Sequence, residues 1–339
     1  YPDLSRAYLD PFTKQKVLTI PGDVYVIRSD GNVPFGQYPR NVLKAALSYM
    51  KENKIADEMV IAPEFEFSIF DHVSTRIADN EISVHLDSWE SRWSSGKEDS
   101  LGYHTSPAGA YHIDLPEDLH FDLRNEICQI LNEMGVEVKY HHHEVGGTGQ
   151  MEIEVELADV YKMADDTLLI KHVIRNVALA HGLTATFMPK PIRNEAGNGM
   201  HIHMQLRKDG KNLFYKKGNY ASFSDEAMYF IGGILKHIAS LCVFLNPSSN
   251  SYKRLVPGFE APVTIGYATG NRSAIIRIPS YAKSEDSVRF ELRNPDAMCN
   301  PYYAYAAILM AGMDGIMNKI DPKDHNWGPF DFNLYDLSP

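Results

Sequence analysis

The sequence predicts an α+β chain in which helices cover one face of a β-sheet and the other face is a wall of charged side chains. Three observations carry this prediction. Five separate segments, at 64–68, 152–156, 201–205, 272–277 and 289–293, alternate polar and apolar residues as strands with one buried face do. Their polar positions hold carboxylate, imidazole and guanidinium, where an ordinary wet sheet face predicts mixed Thr, Ser, Lys and Glu. Between them lie stretches with helical apolar spacing that supply the covering layer.

Taken in order, residues 1–37 are rich in Pro, Gly and Asp and read as a connecting segment with short β-like runs at 17–20 and 24–27. Pro39 opens a helix with Val42, Leu43, Ala46, Leu47 and Met50 on one face. The strand 59–70 follows, with Glu64, Glu66 and Ser68 on one side and Phe65, Phe67 and Ile69 on the other. Residues 72–117 read as a long irregular loop pinned by Trp89 and Trp93. Asp118 is placed as the N-cap of a helix through Met134 that ends at Gly135. The run HHHEVGGTGQMEIEVE at 141–156 then carries three histidines and Glu144 through a glycine turn into a strand bearing Glu152, Glu154 and Glu156. A row of like charges invites a counter-charge, and carboxylate mixed with His suits Mg²⁺ or Mn²⁺. A helix over 158–181, a short strand at 184–188 and the strand MHIHMQL follow, the last with His201, His203 and Gln205 on one face. An apolar helix at 230–244 leads to a charged, turn-rich loop at 246–262. Arg277 sits among apolar neighbours, Arg289, Glu291 and Arg293 share a strand face, and Asn300 with Pro301 starts a helix to Ile316.

Composition narrows the partners. With 339 residues and 44% hydrophobic content the chain can bury a large core, and its net charge of -11 argues against duplex nucleic acid or an anionic membrane as the main partner. Cys128, Cys242 and Cys299 are far apart and show no CxxC spacing, so neither a disulfide framework nor a thiolate zinc site is expected. No uninterrupted apolar run approaches the roughly 18 residues of a membrane span, and YPDLSRAYLDPF has no signal-peptide layout. A cytoplasmic protein with no membrane partner is expected. Carboxylates and His in the wall can hold divalent cations, and arginines the anions bridged to them, which fits phosphoryl transfer from a metal–nucleotide. No GxxxxGK[ST] loop exists to hold the phosphates instead.

The segments APEFEFSIFD, HHHEVGGTGQMEIE, TATFMPKP, GNGMHIH, NSYKRLVPGFEAP, NRSAIIRIP and RFELRNPDAMCNPY stand in the order and approximate spacing of glutamine synthetases. The chain resembles the bacterial dodecameric type throughout. That resemblance implies a curved antiparallel sheet backed by helices, the glutamine synthetase/guanido kinase-like catalytic domain, over 38–339. It also implies that 1–37 is a linker from an N-terminal β-grasp domain and that the family's C-terminal helices lie beyond 339. Carried over by position, Glu66, Glu144 and Glu152 look like ligands of the metal nearest glutamate, and Glu64, His201 and Glu291 like ligands of the metal that orients the phosphates. Arg254, Arg272 and Arg293 resemble the arginines that grip glutamate or the phosphoryl group, with Gly197 near the amino group. Glu260 matches the acid that closes over glutamate and accepts a proton from ammonium, and Tyr111 a tyrosine beside the ammonium site. His203, Arg277 and Arg289 match nucleotide-phosphate positions.

The implied activity is glutamate–ammonia ligation in nitrogen metabolism, driven by ATP with Mg²⁺ or Mn²⁺ through γ-glutamyl phosphate, in a ring-shaped homo-oligomer that is a dodecamer at full length. Ala196, Gln205, Leu157 and Lys139 depart from the family pattern at nucleotide and glutamate contacts. The alternatives are therefore a γ-glutamyl ligase for a polyamine or alkylamine, or a non-catalytic structural relative, against which six retained metal-type ligands count. Glu154 and Glu156 are expected in solvent, His141 and His142 in structural roles, and Met200, Ile202 and Met204 in the core. Tyr335 matches a tyrosine adenylylated in some bacterial members, although an exposed loop tyrosine is the simpler expectation.

Overall fold

The computed structural model describes residues 1–94 and 98–332. Chain order runs β1 (Tyr8–Leu9), β2 (Leu18–Thr19), β3 (Tyr25–Val26), β4 (Val33–Pro34), α1 (Pro39–Glu52), β5 (Glu58–Phe70), β6 (His72–Ala78), β7 (Glu81–Asp87), α2 (Phe121–Glu133), β8 (Val138–His143) and β9 (Gln150–Val155). Next come β10 (Ala158–Asp159), α3 (Val160–Ala180), β11 (Thr184–Thr186), β12 (Ile202–Lys208), β13 (Lys211–Asn212), α4 (Asp225–Leu245), α5 (Ser251–Arg254), β14 (Thr264–Thr269), β15 (Ala274–Ile278), β16 (Phe290–Leu292) and α6 (Pro301–Asn318).

The main sheet has the order β14-β15-β16-β12-β5-β9-β8, with β10 and β11 also pairing β5 and β13 pairing β12. Its centre is β5, whose Phe65, Phe67 and Ile69 are fully buried against the helical layer while Glu64, Glu66 and Ser68 alternate to the other face. Helix α3 packs on β5, α2 on β8, and α4 along α6. The α4–α6 contact depends on glycine: a Cβ added to Gly233 would lie 2.1 Å from the Ala311 carbonyl oxygen. Side-chain caps fix two helix starts, Asp159 accepting from the Tyr161 and Lys162 amides, and Asn300 from those of Tyr302 and Tyr303.

Several expectations are corrected. Residues 72–87 are no loop but the hairpin β6–β7, closed by the two residues between Ala78 and Glu81. It carries an apolar stripe, Val73 and Ile77 paired with Leu86 and Ile82 and with Val84 between them, and the strict alternation over 81–87 was there to be read; the stripe is largely exposed. Asp118 does not cap α2, whose N-cap His120 makes no side-chain bond. Its carboxylate instead accepts from Arg124 Nη1 at 3.0 Å, and both side chains are buried. The sheet is not wholly antiparallel, because the unforeseen strand β14 pairs parallel to β15. Residues 1–37 are docked on the rest of the chain: buried Arg40 bridges Asp3 at 2.9 Å, Asp23 at 3.3 Å and Asp165 at 2.9 Å. Finally, α4 is long and apolar enough by length and composition to cross a membrane, with a mean hydropathy of 1.7 over 18 residues. Counting uninterrupted apolar residues missed it because Lys236 and His237 interrupt the run. Its packing along α6 gives it the role of a core helix.

Candidate active site

Strand register brings the charged residues together. Glu64 lies opposite Glu154 and Glu66 opposite Glu152 on β9, while across β12 and β16 His203 faces Glu291, which in turn faces Arg277 on β15. A cavity of about 380 Å³ opens on this wall. All the predicted site residues line it except His203, Arg289 and Glu291. Glu291 and His203 are buried within the wall, and Arg289 donates to the Ser287 carbonyl at 3.0 Å and to the hydroxyl of Tyr281, itself a cavity residue, at 3.3 Å.

Of the three ligand clusters found among the described residues, two hold most of the predicted ligands. In one, Glu64, His201 and Glu291 offer donor atoms within 4.8 Å of one another. His201 Nδ1 lies 2.9 Å from Glu64 and 3.3 Å from Glu291. Burial alone would raise these carboxyls. The Arg293 and His201 charges instead hold Glu291 down at about 2, and His203 and His201 hold Glu64 well below the usual range. Arg277 and Arg293 both pair with Glu291. In the other cluster, His142, Glu144 and Glu152 lie equally close, with His142 Nε2 3.2 Å from Glu152. Here burial and the neighbouring Glu66 push Glu144 up to about 8, and burial with Glu64 and Glu144 raises Glu152. Converging buried carboxylates whose charge is opposed from every side are a donor set suited to a hard divalent cation, so the residues present fit Mg²⁺ or Mn²⁺. Glu66 stands between the clusters, accepting from the Gly199 amide at 2.7 Å and lying 3.6 Å from His201 Nε2.

The arginines divide into buried and half-exposed members. Arg254 is buried and donates to the carbonyls of Asn294 at 3.1 Å and Arg293 at 3.0 Å. Gly197 and Gly199 make room for it: a Cβ on Gly199 would come within 2.3 Å of its guanidinium. Arg272, half-exposed, pairs with Glu260 at 2.6 Å, and its guanidinium lies 5.6 Å from the centre of the Tyr111 ring. Arg293 also donates to the Glu260 carbonyl at 3.1 Å.

Sequence reasoning missed four features of the site. Glu154 is not solvated but 1% exposed, taking 2.6 Å contact from Lys139 Nζ and grouping with Glu64 and His203. Period two could not show that both sides of β9 are covered. His142 belongs to the cavity, while His141, bonded to Arg124 and Asn125, is structural as expected. His112 stacks on His142 with ring centres 4.3 Å apart, from a left-handed backbone at φ +57, and nothing periodic in its loop announced it. Tyr140 and Tyr281 also line the cavity. Of the departures from the family pattern, only Ala196 reaches it. Tyr335 lies outside the described residues.

The model of the family described as glutamine synthetase, catalytic domain, matches residues 36–339. The chain belongs to the glutamine synthetase family. It is 44% identical over 341 residues to a glutamine synthetase of Frankia alni, covering 100% of this chain and 71% of that protein. Among solved structures it superposes on a Plasmodium falciparum glutamine synthetase with a TM-score of 0.85 at 34% identity, covering 94% of this chain and 62% of that one. It also matches GmaS in complex with ADP, with a TM-score of 0.76 at 30% identity over 99% of this chain and 70% of that one. The chain thus spans about two thirds of the length of these relatives. The glutamine synthetase catalytic fold, a large sheet backed by helices, is the architecture described above.

Proposed function

We propose that this chain carries the catalytic machinery of an ATP-dependent ligase that makes glutamine from glutamate and ammonia through γ-glutamyl phosphate. The observation that carries this reading is the joining, on one cavity wall, of two carboxylate–imidazole clusters with a ring of arginines. Glu64, His201 and Glu291 would hold one divalent cation, and Glu66, Glu144 and Glu152, with His142 beside them, a second. Mg²⁺ or Mn²⁺ there supplies neutralisation of the charge on the two anions that must meet.

The chain's own residues then position and shield. Arg254 and Arg293, with Gly197, set the glutamate end, and Arg277, Arg289 and His203 the phosphate end. Arg272 faces the cavity and stabilises the phosphoryl group as it transfers from ATP to the γ-carboxylate. Ammonia next attacks the acyl carbon beside Tyr111, phosphate leaves, and Glu260 takes the proton that ammonium gives up. The segment around Glu260 excludes water from the acyl phosphate. The same reading makes 38–339 the catalytic domain, supported by a family match that starts at residue 36, with 1–37 as linker. It further makes the protein a cytoplasmic homo-oligomer, supported by its resemblance to the dodecameric type.

The test is phosphate release from ATP with Mg²⁺ and glutamate, with ammonium or with a panel of amines. Release that requires ammonium supports the reading, release that requires a larger amine moves it to another γ-glutamyl ligase, and no release under any condition overturns both.

A further inference from the structure

One stretch of the cavity wall is fastened to the rest of the chain largely by side chains. Phe259, Glu260 and Ala261 line the cavity without belonging to any helix or strand. Gly258 at φ +89 and Glu260 at φ +55 both sit in the left-handed region, which Gly tolerates and Glu does not. A strained backbone of this kind persists only where surrounding contacts over-determine it.

Contacts of this kind include Arg272 to the Glu260 carboxylate at 2.6 Å, Arg293 Nη2 to the Glu260 carbonyl at 3.1 Å, and Lys190 Nζ 3.7 Å from the centre of the Phe259 ring. The two arginines are the groups to which the proposed reaction assigns substrate, so an anion in the cavity competes for them. Lys190 has no such competitor. It is buried, at 7% exposure, and its own position is fixed. Its amide donates to Asn250 Oδ1 at 2.7 Å, Asn250 Nδ2 donates back to its carbonyl at 3.1 Å, and its ammonium also donates to the Glu195 carbonyl. Glu195 in turn accepts from the Gly147 amide at 3.1 Å, which ties this anchor to the glycine turn after Glu144. A desolvated ammonium over an aromatic face is among the stronger forms of that contact.

We propose that Lys190 is a positioning residue that holds the Phe259 ring, and with it the Glu260 backbone, closed over the cavity while the arginines are engaged by substrate. The proposal rests on the ligase reading for its chemical consequence. Loosening the segment admits water to the γ-glutamyl phosphate: the water oxygen attacks the acyl carbon, the C–O bond to phosphate breaks, and phosphate leaves with the electron pair. Glutamate is regenerated with one proton on phosphate and one in solvent, so the net reaction is ATP hydrolysis without amide formation.

The experiment compares the full chain with Lys190→Met, Lys190→Arg and Phe259→Leu by two readouts. With glutamate present to engage the arginines, hydrogen exchange at the amides of 258–261 should quicken about tenfold in Lys190→Met and Phe259→Leu, less in Lys190→Arg, with β5 amides unchanged. In the assay, the share of phosphate release that needs no ammonium should rise several-fold in the same order, whereas a general folding defect lowers all release and leaves that share constant. Unchanged exchange at 258–261, or exchange that quickens equally in β5, overturns the proposal. If the wild-type chain releases no phosphate at all, the ligase reading fails and the exchange measurement still decides the role of Lys190.

Discussion

The two carboxylate clusters are built from the same residue types on the same sheet and yet are electrostatic opposites. Around Glu64, His201 and Glu291 the protein supplies its own cations, Arg277 and Arg293, and the carboxyls are held low. Around Glu144 and Glu152 no arginine or lysine among the described residues forms an ion pair with either carboxylate, Arg272 opposing the rise of Glu144 only weakly, and the carboxyls are driven up by burial and by neighbouring carboxylates. Arg124, a buried arginine near that half, lies against Met151 and His141 and is taken by Asp118. The difference teaches which cluster is preorganised. The arginine-balanced half holds its charge without a ligand, while the acid-rich half, on the proposed reading, needs an added cation to reach the same balance.

The largest effect should come from breaking the balanced half. Glu291→Ala removes a metal-type ligand and strands two arginines, and losing several kcal/mol of charge stabilisation corresponds to a drop of ~10³-fold in ATP-dependent phosphate release. Glu156→Ala, on an exposed side chain just past β9, should leave release within about twofold. Comparable losses from both would refute the assignment of faces. Glu291→Gln keeps the shape but only one of the two acceptor oxygens that Arg277 and Arg293 use, so its unfolding is followed beside its activity, and a loss of activity with cooperative unfolding retained assigns the loss to the ligand.

Much of that balanced half was legible in the sequence, because Glu64 and Glu291 sit on strands, and His201 and Arg293 directly beside strand ends, where a period of two fixes their side without knowledge of the fold. The acid-rich half was legible only in part. Glu144 leaves a glycine turn and His112 comes from an aperiodic loop, and their meeting with His142 depends on tertiary geometry. Glu154 shows the other limit, since alternation says which face a residue shares and not whether that face is wet. In the fold, β6–β7 and β14 escaped notice for different reasons: the hairpin has a one-sided apolar pattern, Val73, Ile77, Ile82, Val84 and Leu86, but it lies in a polar stretch and faces outward, whereas β14 is a parallel edge strand without strict alternation.

A smaller effect is expected behind the acid-rich half. Asp118→Asn leaves the Arg124 guanidinium buried with a neutral partner, which should cost roughly 3 kcal/mol in urea unfolding near neutral pH. Burial raises the Asp118 carboxyl, but Arg124 holds it below its usual 3.8. Its folded value is depressed, so its contribution is present above pH 3.8 and is lost as pH falls through the depressed value. Wild type and variant should therefore converge only in strong acid, and a gap that closes nearer neutrality would point to another group.

The acid-rich half itself gives the last and smallest prediction. Mg²⁺ at 100 times its dissociation constant should stabilise the chain by about 2.7 kcal/mol if it binds only the folded state. In chelator-treated protein the Glu144 carboxyl is raised from 4.5 to about 8. A raised folded value means stability fully present below pH 4.5 and lost as pH climbs through about 8, so metal-free protein should melt at lower temperature as pH rises across that window. Saturating Mg²⁺ should flatten this slope, because a bound cation replaces the proton as the counter-charge. Glu152→Gln removes one of the repelling carboxylates and one ligand together. It should therefore be more stable than wild type without metal at pH 8 and less responsive to Mg²⁺. A variant that is destabilised without metal would show that the repulsion is relieved by some arrangement other than the one described, and that the contrast between the two halves is weaker than their geometry indicates.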